Sequence, residues 1–114
     1  MLVSHAGSGA MLGAAASGIP QLCLPIAADQ FINADVVVAA GCGLSLEPHE
    51  VAVDSVRRSV LRLLGDDEFN RCALRVAEEI AVMPEPSALV NIIEALVLDR
   101  GLRSPGRTAV MDDA

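Results

Sequence analysis

The feature that most restricts the fold lies within the first twenty residues. Leu2-Val3-Ser4 is a short apolar run that ends at His5-Ala6-Gly7-Ser8-Gly9. Ala10 to Ser17 are strong or neutral helix formers, closed by Gly18 and Pro20, so the order read from the residues is strand, glycine-rich turn, helix. Gln21-Leu22-Cys23-Leu24 follows, short, apolar and bounded by Pro20 and Pro25, as expected of a buried parallel strand. Alternating short strands and helices define an α/β layer fold.

The rest of the chain continues the alternation. A loop runs to Asp29, where Asp29 or a neighbour is placed to cap a helix from Phe31 to Ala40, and Gly41 is placed to end that helix in a left-handed conformation. Gly43-Leu44-Ser45-Leu46 reads as a third strand. Val56, Val60, Leu61, Leu63 and Leu64 recur at helical spacing between Arg57, Arg58 and Arg62, with Gly65 as the stop. Asp66-Asp67-Glu68 complements the dipole at the start of a further helix running through Cys72, Val76 and Ile80 to Pro84. A last helix is expected from Ala88 to about Leu98, capped by Ser87 and ended by Gly101, with a frayed polar tail after it. The expected division is one domain over 1–101 and a flexible tail over 102–114. Three short strands with five helices make about half of a doubly wound domain, so a preceding part is expected to be missing.

Composition narrows the function. With 114 residues, 53% hydrophobic and 20% charged, the chain can bury one core, built from small aliphatic side chains because it has two Phe, no Tyr and no Trp. A net charge of -7 with no clustered basic residues argues against nucleic acid, although helix N-termini bind phosphate without net positive charge. Cys23, Cys42 and Cys72 are odd in number and far apart, which supports neither a disulfide framework nor a zinc site and fits a reducing cytoplasm. The N-terminus lacks the pattern of a signal sequence and no stretch reaches a membrane span, so neither secretion nor a membrane is expected.

Chemistry is expected at His5-Ala6-Gly7-Ser8-Gly9, because the carboxyl end of a strand meeting a helix N-terminus is where ligands bind in α/β sheets. Glycines there admit a phosphate close to the backbone, the free N–H groups of the first helical turn point at it, and His5 adds a ring donor. Pyrophosphate suits such a site; the alternative is a plain strand-to-helix turn with an incidental histidine.

The longer string decides between them: His5-Ala6-Gly7-Ser8-Gly9, then Gly18-Ile19-Pro20-Gln21, Leu24-Pro25, and Asp29-Gln30 with Asn33-Ala34 one turn later. It resembles the C-terminal domain signature of the nucleotide-sugar-dependent glycosyltransferases that act on macrolide, enediyne and glycopeptide antibiotics. The likeness is close over about Leu2 to Gly43 and compatible in helix order to about Gly101. It implies a Rossmann-like parallel sheet flanked by helices, here the C-terminal half of a GT-B-type C-terminal domain. It further implies that His5 and the segment Gly7, Ser8, Gly9 and Ala10 hold the donor's diphosphate, while Asp29 and Gln30 bond the donor sugar's hydroxyls. A carboxylate beside an amide offers acceptors and donors for vicinal hydroxyls. Asp29 also reads as a helix cap, and Asn33 as a solvent-facing polar residue.

The sequence departs from the family's pattern twice. Ala6 replaces a glycine, which is tolerable only if that position needs no positive φ, and Ala10 stands where a hydroxyl is usual, at a cost of roughly 1.5–3 kcal/mol for one bond to a charged group. No catalytic residue is assigned: the family's base lies in an N-terminal acceptor-binding domain that this chain lacks, and His49 reads as a surface residue. No metal or other cofactor is expected beyond the donor substrate. Two other readings stay open. One is an NAD(P)-binding half-domain, although the third glycine falls at Gly13 and not at Leu12. The other is an orphan or truncated, non-catalytic domain, self-associating through an uncovered apolar face.

Overall fold

A computed structural model describes residues 1–103. The chain divides into two units, Met1–Val82 and a second beginning at Met83. The first holds β1 (Leu2–Ser4), α1 (Ser8–Ala16), β2 (Gln21–Cys23), α2 (Gln30–Ala39), β3 (Gly43–Ser45), a 3-10 turn (Pro48–Glu50), α3 (Val53–Gly65) and α4 (Asp67–Ala81). The described part of the second is built on α5 (Pro86–Arg103).

The sheet runs β1-β2-β3, all parallel, with Leu22 beside Val3 on one side and Leu44 on the other. Right-handed crossovers put α1 and α2 on the same face, and the two helices touch. β2 is the central strand and every residue in it is buried. Side chains alternate across it. Leu22 points to a cluster with Leu63 and Phe69, against which Leu24, Leu44, Leu46, Val56 and Val60 pack. Cys23 points to the opposite cluster, with Ala6, Ala34, Val37, Cys42, Cys72 and Ala73. The α3 face is therefore filled mainly by large side chains, and the other mainly by alanine, cysteine and valine, where α2 packs on β3. Burial pushes the Cys23 thiol up to about 11. All three cysteines are free and buried.

Gly43 sits in a tightly confined place. In the β2–β3 register it lies opposite Gln21, and an added Cβ would run into the Gln21 carbonyl. The Gln21 side chain is itself buried and donates to the Met11 carbonyl at 3.2 Å, tying β2 to α1.

Most elements fall where the residues place them, and the differences have local causes. Gly41 does close α2 in a left-handed conformation, with φ of +75°, and Gly18 follows α1 at +69°. α1 begins at Ser8 and not Ala10, because the Met11 amide already bonds the Gly7 carbonyl at 2.9 Å. Asp66 caps α4 by accepting from the Glu68 amide at 3.0 Å. α4 stops at Ala81, ahead of Pro84. α5 starts at Pro86, a residue suited to a first turn because its missing N–H is not needed there. Ser87 is therefore inside the helix rather than its cap, and Gly101 does not end it. The expected tail falls almost wholly outside the described residues. Among the described residues, no single helix is long and apolar enough to cross a membrane.

Gly43→Ala is expected to destabilise the first unit by about 3 kcal/mol, the upper end for overpacking, since the added methyl meets backbone and not a flexible side chain. Gly9→Ala meets nothing within 4 Å and should leave stability unchanged or slightly raised. Urea denaturation of both variants checks the contrast.

Candidate functional site

The chain leaves β1 through an unusual turn. Ala6 adopts φ of +65° and is fully buried. A left-handed alanine costs about 1–2 kcal/mol, so the position does require positive φ, contrary to the condition under which an alanine there would be harmless. Two side chains hold it. Ser4 Oγ accepts from the Ala6 amide at 3.1 Å, and Asn33 Nδ2 donates to the Ala6 carbonyl at 2.9 Å.

This turn aims α1 back across the sheet with its N-terminus at the carboxyl ends of the strands. Gly7 is the N-cap residue and makes no side-chain cap, and the first turn holds no acidic residue. The first intrahelical bond runs from Met11 to Gly7, so the amides of Ser8, Gly9 and Ala10 have no partner within the helix. Those N–H groups and the positive end of the helix dipole suit an anion. His5 is exposed and lies over Gly7, where an added Cβ would stand 2.8 Å from the imidazole Nε2. Glycine at 7 therefore makes room for the histidine ring.

The second expected half of the site lies beside the first. Ser8 Oγ donates to Asp29 Oδ2 at 3.3 Å, and Asn33 Nδ2 also reaches Ser8 Oγ at 3.3 Å. Asp29 occupies the N-cap position of α2, yet its side chain caps nothing; its carboxylate is turned to Ser8 instead. The reading of Asn33 as a solvent-facing residue is overturned: it bridges the β1–α1 turn and α2, because its amide is the donor that the buried Ala6 carbonyl requires. Gln30 also does more than expected. Its Oε1 accepts from the amides of Ile26 at 2.9 Å and Ala27 at 3.1 Å, fixing the loop after β2 and leaving Nε2 as the group free to face a ligand. His49 is exposed in the 3-10 turn.

Sequence reasoning missed Ser4 and the bridging role of Asn33. Neither bond joins residues that a local pattern pairs, since Ser4 reads as the end of a strand and Asn33 lies 27 residues from Ala6. The spacing of Asp29 and Asn33 by one helical turn was the available signal. Among the described residues, no group of three or more His, Cys, Asp or Glu side chains is arranged to hold a metal.

A helix N-terminus with free amides at the end of a parallel strand, flanked by a histidine and a carboxylate, defines an α/β domain with these groups at the strand ends, the usual place for a ligand in such sheets. Comparison with known proteins makes this specific. The chain belongs to the family described as Erythromycin biosynthesis protein CIII-like, C-terminal domain, whose model matches residues 1–96.

It is 33% identical over 106 residues to aklavinone 7-beta-L-rhodosaminyltransferase of Streptomyces galilaeus, covering 93% of this chain and 24% of that enzyme. It is 34% identical over 98 residues to 3-alpha-mycarosylerythronolide B desosaminyl transferase of Saccharopolyspora erythraea, covering 86% and 23%. Among solved structures, the spinosyn rhamnosyltransferase SpnG complexed with thymidine diphosphate aligns with a TM-score of 0.75 at 38% identity, over 81% of this chain and 25% of that one. The glycosyltransferase VinC in complex with DTDP aligns with a TM-score of 0.76 at 26% identity, over 82% and 24%. The chain thus spans about a quarter of the length of the relatives it matches. The GT-B-type architecture is borne out by these neighbours.

Ala28, next to Asp29, is exposed and also left-handed, at φ of +57°. Ala28→Gly removes that strain without emptying any core, and is expected to raise stability by about 0.5–1 kcal/mol. Thermal denaturation checks it; a fall in stability would contradict the strain argument.

Proposed function

We propose that this chain binds the diphosphate and sugar of a nucleotide-sugar donor, as part of a cytoplasmic glycosyltransferase that delivers the sugar to a small natural-product acceptor. The observation that carries the reading is the set of unpaired amides at Ser8, Gly9 and Ala10 opening between His5 and Asp29. Two of the solved relatives, SpnG and VinC, were captured with a thymidine or deoxythymidine diphosphate, which supports a nucleoside diphosphate as the guest here.

The geometry suggests a division of labour. The donor's phosphates face the α1 N-terminus, where dipole and N–H groups favour negative charge. During transfer the nucleoside diphosphate leaves with additional negative charge, and pre-oriented amides stabilise that charge without having to reorganise. His5 supplies one further ring donor at the edge of the same site. Asp29, acceptor-only when ionised, faces the sugar hydroxyls, and Gln30 Nε2 supplies a donor beside it. A base for the acceptor hydroxyl is assigned to a partner domain N-terminal to this one, and the groups that select nucleobase and acceptor to segments outside this chain.

Calorimetric titration of the purified chain with UDP and TDP, beside NAD and NADP, tests the proposal. A nucleoside diphosphate is expected to bind, and His5→Ala to weaken it ten- to a hundredfold, since a hydrogen bond to a charged group contributes roughly 1.5–3 kcal/mol. Binding of NAD alone would replace this reading with a dinucleotide site.

A further inference from the structure

The Ser8 hydroxyl stands between the two halves of the site, and the directions of its hydrogen bonds are fixed by its neighbours. Asn33 must present its amide nitrogen to this region, because only a donor suits the Ala6 carbonyl. That same Nδ2 meets Ser8 Oγ at 3.3 Å, so Ser8 accepts from Asn33 and its single proton is turned elsewhere. It is turned to Asp29 Oδ2, also at 3.3 Å. The unliganded site is thus a directed chain from Asn33 through Ser8 to Asp29.

Ser8 is also the first residue of α1, where the donor-site reading, on which this inference rests, puts a phosphate. A phosphate oxygen there is a second acceptor within reach of a hydroxyl that has one proton to give. The two acceptors compete, and the hydroxyl cannot serve both. A carboxylate and a phosphate brought this close also repel each other across a short gap, so the arrangement favours Asp29 taking its hydrogen bonds from another source.

We propose that Ser8 is a positioning residue that couples the two ends of the donor: when the diphosphate binds, the Ser8 O–H rotates from Asp29 to a phosphate oxygen and leaves the Asp29 carboxylate free for the sugar's hydroxyls. No covalent bond changes, because the proton stays on Ser8 and only its direction alters. Asn33 is the pivot. Its bond to Ser8 Oγ persists in both orientations, and its bond to the Ala6 carbonyl keeps that pivot registered to the turn that aims α1. The site then has an order built into it, in which phosphate binding exposes the sugar acceptor, and an unoccupied site keeps Asp29 partnered.

The test follows the Asp29 side-chain carboxyl carbon by NMR in the full chain, titrated with inorganic pyrophosphate, which lacks a sugar. Ser8→Ala is the variant of choice because Ser8 is exposed and its hydroxyl supports no core packing. In the native chain the Asp29 signal should move in step with the Gly7 and Gly9 amides. In Ser8→Ala those amides should still move, whereas the Asp29 response should shrink roughly threefold or more, only the field of the bound anion remaining. Asn33→Ala, which removes the pivot, should likewise uncouple Asp29 from the amides. A role confined to holding the fold would leave the Asp29 response intact in Ser8→Ala. Equal Asp29 responses in native and Ser8→Ala chains overturn the coupling while leaving the donor site standing. Amides at Gly7 and Gly9 that stay still at saturating pyrophosphate overturn the donor site, and the coupling with it.

Discussion

The Asn33 side chain donates to the carbonyl of a buried, left-handed alanine, and much of the molecule is arranged around that bond. Ala6 converts the direction of β1 into the direction of α1 within one residue, and an L side chain resists the conformation that does so. Ser4 and Asn33 hold the two peptide groups that the turn would otherwise leave without partners. Asn33 sits on α2, and Ala34 and Val37 of the same helix belong to the core cluster that includes Ala6. The turn, the second crossover helix and one face of the sheet are therefore a single packed object. Helix α1 points its free amides at the strand ends because that object is assembled correctly.

Packing asymmetry supports the same arrangement. One face of β2 meets branched side chains from α3, and the other meets alanines and cysteines from α2 and α4. Gly43 of β3 has the backbone of Gln21 on the neighbouring strand on one side and Val37 of α2 on another. This is a core with little room for substitution on one side.

Much of this was legible in the sequence because it depends on local chemistry. The strand-turn-helix of Leu2 to Ala16 and the left-handed stop at Gly41 follow from residue type and spacing alone. The first-turn amides follow from where α1 begins. The role of Asn33 was not legible, since a polar residue on an amphipathic helix reads as solvent-facing until the carbonyl 27 residues upstream is known to need it. Asp29 was read both as a cap and as a sugar ligand; its position is that of a cap, but Ser8 claims its carboxylate. Such pairings arise from tertiary contact and carry no periodic signal. The helix limits at α5 also escaped, because proline at a first turn and glycine near a last one are compatible with either boundary.

Family membership extends to the C-terminal portion of the antibiotic sugar transferases, and the chain corresponds to about a quarter of those enzymes. Within that portion the first-turn amides of α1 and the Asp29 carboxylate at the start of α2 belong to neighbouring elements that share one hydrogen-bonded chain.

The most direct test of this account is a crystal structure of the chain grown with thymidine diphosphate. The account predicts a phosphate group at the N-terminus of α1, within hydrogen-bonding distance of the Ser8 and Gly9 amides and next to His5, with the Ala6 turn unchanged. A diphosphate seated away from that helix terminus, or bound there only after the Ala6 turn has been rebuilt, would contradict it.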